Sequence, residues 1–172
     1  MKKITLILAF IGMITLNSCT VNDTPPPAQV QQINNTYVSE VFEVTTSFSS
    51  NNDFSRLVTF NPPIYNSDTV LVYRLSGVSN GTDFWKLLPE TFYFNDGTLD
   101  YKFNYDFTRY DVELYMEGFE LWNLSSQILN NQTFRLVVIP GSFKTSNEVD
   151  YSDYNATIKM LGYKDSKIKK LD

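Results

Sequence analysis

The chain predicts a mainly β fold: an antiparallel β-sandwich of about seven or eight strands, closed by one short C-terminal helix. Three observations carry this. Leu99, Tyr101, Phe103, Tyr105 and Phe107 alternate with Asp100, Lys102, Asn104 and Asp106, a strict period of two that gives one dry face and one wet face. Apolar runs of strand length are separated throughout by Asn, Asp, Gly and Pro, the residues that turn a chain. Near the end the period lengthens: Tyr151, Tyr154, Ile158 and Leu161 fall at i, i+3, i+7 and i+10, the spacing of one helix face.

In chain order, Tyr37–Phe48 is the first strand, with Val38, Phe42, Val44 and Phe48 on one parity and Glu40 and Thr46 interrupting. Phe54–Phe60 is next, with Phe54, Val58 and Phe60 on one side, and Asn61-Pro62-Pro63 ends it because proline donates nothing to a ladder. Thr69–Leu75 is apolar on both faces except at Arg74, the pattern of a central strand. Ser76–Gly81 has turn chemistry. Trp85–Leu88 is a short strand stopped by Pro89, and Thr91–Phe94 follows at once. Asn95-Asp96-Gly97 is the clearest hairpin signal, since Asp-Gly tolerates the positive φ of a tight turn.

It leads into the alternating strand Leu99–Phe107. At Thr108-Arg109 the phase flips, and Tyr110, Val112, Leu114 and Met116 take the apolar parity. A bulge or a tight turn would each account for the flip. Phe119–Leu124 is ambiguous, and Ser125–Leu129 reads as one helical turn ending at Asn130-Asn131. Thr133–Ile139 is another buried strand, closed by Pro140-Gly141. The final helix takes Asp150 or Ser152 as its N-cap and Gly162 as its C-cap, and Ile168–Leu171 is available as a short edge strand.

The N-terminal segment is organised differently. Lys2 and Lys3 precede an apolar run from Ile4 to Leu16, and no acidic residue occurs before Asp23. Such a charged start and apolar stretch are those of a secretory signal, and the run is shorter than the roughly 20 residues a membrane span needs. Leu16-Asn17-Ser18-Cys19 then resembles a bacterial lipobox. By that resemblance residues 1–18 are a lipoprotein signal peptide, and Cys19 carries a diacylglyceryl thioether, commonly with an amide-linked third chain. Each buried methylene contributes about 0.8 kcal/mol, so two or three chains anchor stably where one is marginal. The alternative is an ordinary secretory signal with a stray cysteine, but charge, length, small residue and cysteine agree on the lipoprotein. Residues 19–36 are then the acylated cysteine and a linker in which Pro25-Pro26-Pro27 is stiff polyproline and the polar remainder flexible. Its seventeen residues after Cys19 would span roughly 25 Å as coil, enough to hold the sandwich domain, residues 37–172, off a membrane.

Composition excludes much chemistry. The chain has no His and a single Cys, so Ser-His-Asp and Cys-His nucleophiles and His- or Cys-based metal sites are absent, as is any internal disulfide. The seven glycines are scattered, with no phosphate-cradling loop. No cofactor is implied. Residues 20–158 carry seven basic and seventeen acidic side chains, which argues against nucleic acid; residues 159–172 carry five basic and two acidic, a small solvated patch at the chain end. A carboxylate-dependent hydrolase is compatible with nineteen acids, yet Asp96, Glu117 and Glu120 sit where a solvated turn or strand face would place them. Asp150, Ser152, Asp153 and Asn155 are closely spaced oxygen donors, but they lack the glycine and terminal glutamate of a calcium loop, and a helix N-cap explains them more simply. Aromatics are the best-founded binding candidates. Thirteen Phe, eleven Tyr and two Trp exceed what most domains of this size hold, and Trp85 and Trp122 are the residues to follow as stacking platforms, although tryptophan usually belongs to a core.

The runs Val70–Leu75, Trp85–Pro89, Asn123–Ser126 and Phe134–Pro140 resemble small uncharacterised lipoproteins of Bacteroidetes, especially flavobacteria. Some of these carry collagen-like repeats after the acylated cysteine; here Pro25–Pro27 stands in that place without the glycine period, so no triple helix forms. The resemblance implies a cell-envelope lipoprotein and supplies no catalytic motif. Asp68-Thr69-Val70 also resembles a Bacteroidetes O-glycosylation acceptor, or is simply a strand start. The expected protein is membrane-anchored by lipid at the periplasmic or outer-membrane face and acts by contact on a glycan or envelope protein. A carbohydrate-binding module and a hydrolase are the rival readings. Substituting Cys19→Ala is expected to abolish palmitate labelling and release the protein from the membrane fraction; a labelled, membrane-bound variant would contradict the anchor.

Overall fold

The computed structural model describes residues 39–143 and 149–171. The expected signal peptide, Cys19, the expected linker and the first two residues of the expected first strand lie outside them. Nine strands form two sheets: β1 Glu40–Thr46, β2 Ser55–Thr59, β3 Thr69–Ser79, β4 Thr82–Leu87, β5 Glu90–Tyr93, β6 Leu99–Phe107, β7 Asp111–Gly118, β8 Gln132–Ile139 and β9 Lys169–Leu171. One sheet has the order β4-β3-β8-β1-β9 and the other β2-β7-β6-β5. Two short helices complete the described fold, α1 Ser126–Leu129 and α2 Tyr154–Met160, the latter being the C-terminal helix the sequence predicts. The sandwich is not purely antiparallel, because the tail strand β9 lies parallel to β1, pairing Phe42–Val44 with Lys169–Leu171.

The two sheets pack through the parities read from the sequence. Val44, Val70, Val72, Phe134 and Leu136 from one sheet meet Val58, Phe103, Val112, Leu114 and Met116 from the other, all buried. Phe48, Phe103 and Phe134 form a ring triad at its centre, with centroids 5.9, 6.0 and 6.1 Å apart. Polar contacts cross this layer at Tyr105, whose hydroxyl donates to the Val70 carbonyl at 3.0 Å, and at Arg74. Arg74 on β3 pairs with Glu90 on β5 at 2.7 Å and bonds Gln132 at 3.0 Å, its guanidinium lying over the Phe103 ring.

β3 and β8 are apolar on both faces because both are covered. Behind the five-stranded sheet, Val41, Tyr73 and Val137 form a second core with Tyr154 and Ile158 of α2. The helix is capped by Asp153, whose Oδ1 accepts from the Ala156 amide at 3.0 Å, and not by Asp150 or Ser152. Those two residues make the preceding turn, where the Ser152 amide donates to Asp150. An Asp two residues before an amide closes a local turn as readily as it caps a helix, so the sequence offers several equivalent starts. Gly162, at φ +61°, ends the helix, and the Tyr163 amide reaches back to the Ile158 carbonyl.

Three local expectations change. Ser76–Gly81 is not a turn throughout: β3 continues to Ser79 and only Asn80-Gly81 reverses the chain, both at positive φ. The phase flip at Thr108-Arg109 is a tight turn, closed by the Thr108 amide on the Asp111 carbonyl at 2.9 Å, and it leaves Tyr110 exposed instead of in the core. Along β6 the dry face covers only its middle. Tyr101 and Phe103 are buried, while Leu99 and Phe107 are 37% and 41% exposed; beside Leu99 the register against β5 slips by one residue between Phe92 and Tyr93. Gly118 is required beside this slip, since a Cβ there would collide with the Asp100 carbonyl and the Tyr101 Cα.

Phe103 is 2% exposed at the centre of the ring triad. Phe103→Ala is expected to cost about 3–5 kcal/mol through lost transfer energy and the residual cavity. Urea denaturation would register this as a lower midpoint at unchanged slope. A midpoint equal to that of the wild type would contradict the packing.

Candidate contact surface

One end of the four-stranded sheet carries several exposed aromatic side chains. Phe92 and Tyr93 are consecutive on β5, and Phe92 turns inward to stack on Tyr101 at 4.5 Å. Tyr93 therefore projects away from the core and is 65% exposed. Phe94 follows at the Asp96-Gly97 turn and meets Phe119 edge to face, with ring centroids 6.4 Å apart. Phe119 is fixed by its amide, which donates to the Asp100 carbonyl at 2.9 Å. A 3-10 turn, Leu121–Asn123, comes next; Leu121 is its buried anchor, and Trp122 is left 65% exposed. Leu99, paired with Tyr93 across the hairpin, adds apolar surface. An exposed patch of this composition marks an interaction site more often than does a scattered apolar residue.

The patch lies at the far end of the sandwich from the point where the chain enters it. β1 starts at Glu40, level with Val138 and, through it, with Val70. The Tyr105 hydroxyl donates to the Val70 carbonyl at 3.0 Å, which places that end of β6 with Glu40. Leu99 is six residues further along β6, about 20 Å away at the rise of a strand.

The electrostatics of the patch have one sign. Asp96, Asp100 and Glu120 stand within it, and residues 93–100 and 118–123 hold no Lys or Arg. The Thr98 hydroxyl and amide both donate to Asp96 and hold its carboxyl below the usual range. Glu120 accepts from the Asn123 side-chain amide at 2.8 Å. The cation nearest along β6, Lys102, is paired with Glu117 at 2.7 Å, and that pair with the Asn104 amide holds the Glu117 carboxyl low.

The two tryptophans followed in the sequence have separate fates. Trp85 is half-buried behind the other sheet, with the Arg135 guanidinium 4.1 Å from its ring and Tyr154 at 5.4 Å. That guanidinium is itself held by Glu43 at 2.9 Å and the Tyr154 hydroxyl at 2.8 Å, so one face of Trp85 is occupied from within. Trp122 is exposed in the 3-10 turn that follows Phe119. No sequence pattern separates them, since each follows an apolar residue and precedes a polar one; no periodicity marks Tyr93, Phe94 and Phe119 as surface rings, although the adjoining Asp-Gly turn marks Phe94 as a loop residue.

Among the described residues, acidic side chains line separate open depressions: Asp68 beside Tyr65 and Ser142, Asp106 beside Leu88 and Phe107, and Glu43 beside Thr45 and Lys170. Asp106 and Glu113 are cross-strand partners on the uncovered face of the four-stranded sheet, where Tyr115 donates to Asp106 and Ser55 to Glu113. Both carboxylates are exposed on this open surface. Asp150 and Asp153 spend side-chain oxygens on the turn and cap of α2, and among the described residues no three His, Cys, Asp or Glu side chains converge on a metal position. Asp68 accepts from the Tyr65 and Gly141 amides, tying two loops together, and Thr69 opens β3 in an exposed position. Compared with family models, curated proteins and solved structures, the chain matches none.

Replacing each tryptophan separates a structural ring from a surface one. Trp85→Ala is expected to destabilise the domain by roughly 2–4 kcal/mol, through lost packing and the cation–π contact with Arg135. Trp122→Ala should stay within about 0.5 kcal/mol of wild type. Paired thermal melts check both, and equal losses would refute the assignment.

Proposed function

We propose that the chain is a cell-envelope lipoprotein, tethered through an acylated Cys19, whose sandwich domain works by contact and not by catalysis. The aromatic patch of Tyr93, Phe94, Phe119 and Trp122 is its contact surface. The observation that carries this reading is the position of that exposed patch, at the end of the domain opposite the one where β1 begins. A tether at one end and an adhesive surface at the other suit a protein that stays on a membrane and reaches outward from it. Aromatic rings at loop ends supply large contact area at low conformational cost, having only two side-chain torsions each. Trp122 and Tyr93 also carry polar tips, which favours a carbohydrate-binding module as the second reading of the same surface.

Site-specific photocrosslinking in intact cells tests the contact reading. A crosslinking side chain at Trp122 is expected to give discrete adducts that disappear with Cys19→Ala, while one at Leu57, exposed on the open sheet face, gives none. Equal adducts from both positions, or adducts that persist without Cys19, would overturn it.

A further inference from the structure

The fold places a cation over an aromatic ring beside a carboxylate in three separate places. Arg74 lies 4.7 Å from the Phe103 centroid and pairs with Glu90. Arg135 lies 4.1 Å from Trp85 and pairs with Glu43. Lys169 lies 5.2 Å from Phe42 and pairs with Glu40 at 2.6 Å. Each trio answers the same physical need: the ring face is electron-rich, the carboxylate neutralises the charge, and the aliphatic stem packs on apolar surface.

The exposed patch contains two of these three parts. Rings are present in Tyr93, Phe119 and Trp122, and carboxylates in Asp96, Asp100 and Glu120, while neither segment itself holds a Lys or Arg. Lys102, next along β6, is paired with Glu117. We infer that the contact surface takes a lysine- or arginine-bearing segment of another protein, whose cations settle on the exposed rings and pair with Asp96 and Glu120. The inference rests on the contact reading and narrows it to one partner chemistry. Negative charge of one sign repels phosphate-rich lipid and acidic polysaccharide, and it contributes nothing to a neutral sugar beyond hydrogen bonding. Toward a basic segment it attracts at long range and pairs at short range.

The full acylated chain in phosphatidylcholine vesicles provides the test, with a labelled peptide of alternating arginine and glycine as the probe. Binding is expected to weaken as salt rises. It should fall roughly tenfold with Trp122→Ala, recover with Trp122→Phe, and fall several-fold with Glu120→Gln. Glu113→Gln, on the open sheet face, should leave it unchanged. Binding indifferent to Trp122→Ala and Glu120→Gln would overturn the inference, as would failure of the peptide to bind. If a neutral glucan, or the vesicle surface itself, binds in a Trp122-dependent manner and the peptide does not, the cationic partner is wrong and the contact surface stands. Loss of the photocrosslinked adducts is the separate result that removes the contact surface itself.

Discussion

The five-stranded sheet has to be dry on both sides, and most of the structure follows from that. β3 and β8 carry Val70, Val72, Leu136 and Val138 toward the second sheet and Leu71, Tyr73 and Val137 away from it. A sheet with two apolar faces is stable only between two covering layers. The four-stranded sheet is one cover and α2 the other. This brings polar groups of the second face under the helix, where each must be satisfied. Tyr73 lies within hydrogen-bonding distance of the Tyr151 carbonyl at 2.7 Å and the Thr157 hydroxyl at 3.0 Å, and burial pushes its pKa up to about 12. For Arg135, burial acts to lower the pKa, but the Glu43 carboxylate and the Tyr154 hydroxyl outweigh it and hold the guanidinium charged. An arginine so enclosed contributes specificity more than net stability, since desolvation offsets much of the attraction; removing Glu43 alone would leave a costly unpaired charge.

The four-stranded sheet obeys the opposite rule. Its outer face is wet, with Lys102, Asn104 and Asp106 on β6 facing Glu117, Tyr115 and Glu113 on β7. The strict alternation along β6 is the direct consequence of one covered and one open face. Edges are managed by length and charge. β5 has four residues, β9 has three, and β9 carries Lys169 and Lys170, paired to Glu40 and Glu43. Short, charged edge strands discourage pairing with other chains along the sheet.

Rings become exposed at that end through backbone constraints. Phe92 and Leu121 are each drawn inward, and their neighbours Tyr93 and Trp122 are turned outward by the pleat and by the 3-10 turn. The register slip at Asp100 and the close approach that only Gly118 allows set the ends of β6 and β7 together, which brings Phe119 to Phe94.

Periodicity along the sequence determines which residues need cover. The alternation of Leu99–Phe107, the two-faced runs Thr69–Leu75 and Thr133–Ile139, the Asp-Gly turn and the helical spacing of Tyr154 and Ile158 all reappear in the structure, because each is a local consequence of strand or helix geometry. The two-faced runs imply a covered sheet even before the covering helix is known. Whether cover arrives is decided by the tertiary structure alone. Trp85 and Trp122 have similar local surroundings in the chain, yet α2 and Arg135 reach the first and the second is left 65% exposed. The difference is one of long-range contact: burial depends on an element some seventy residues away in sequence, and no window around either tryptophan contains it.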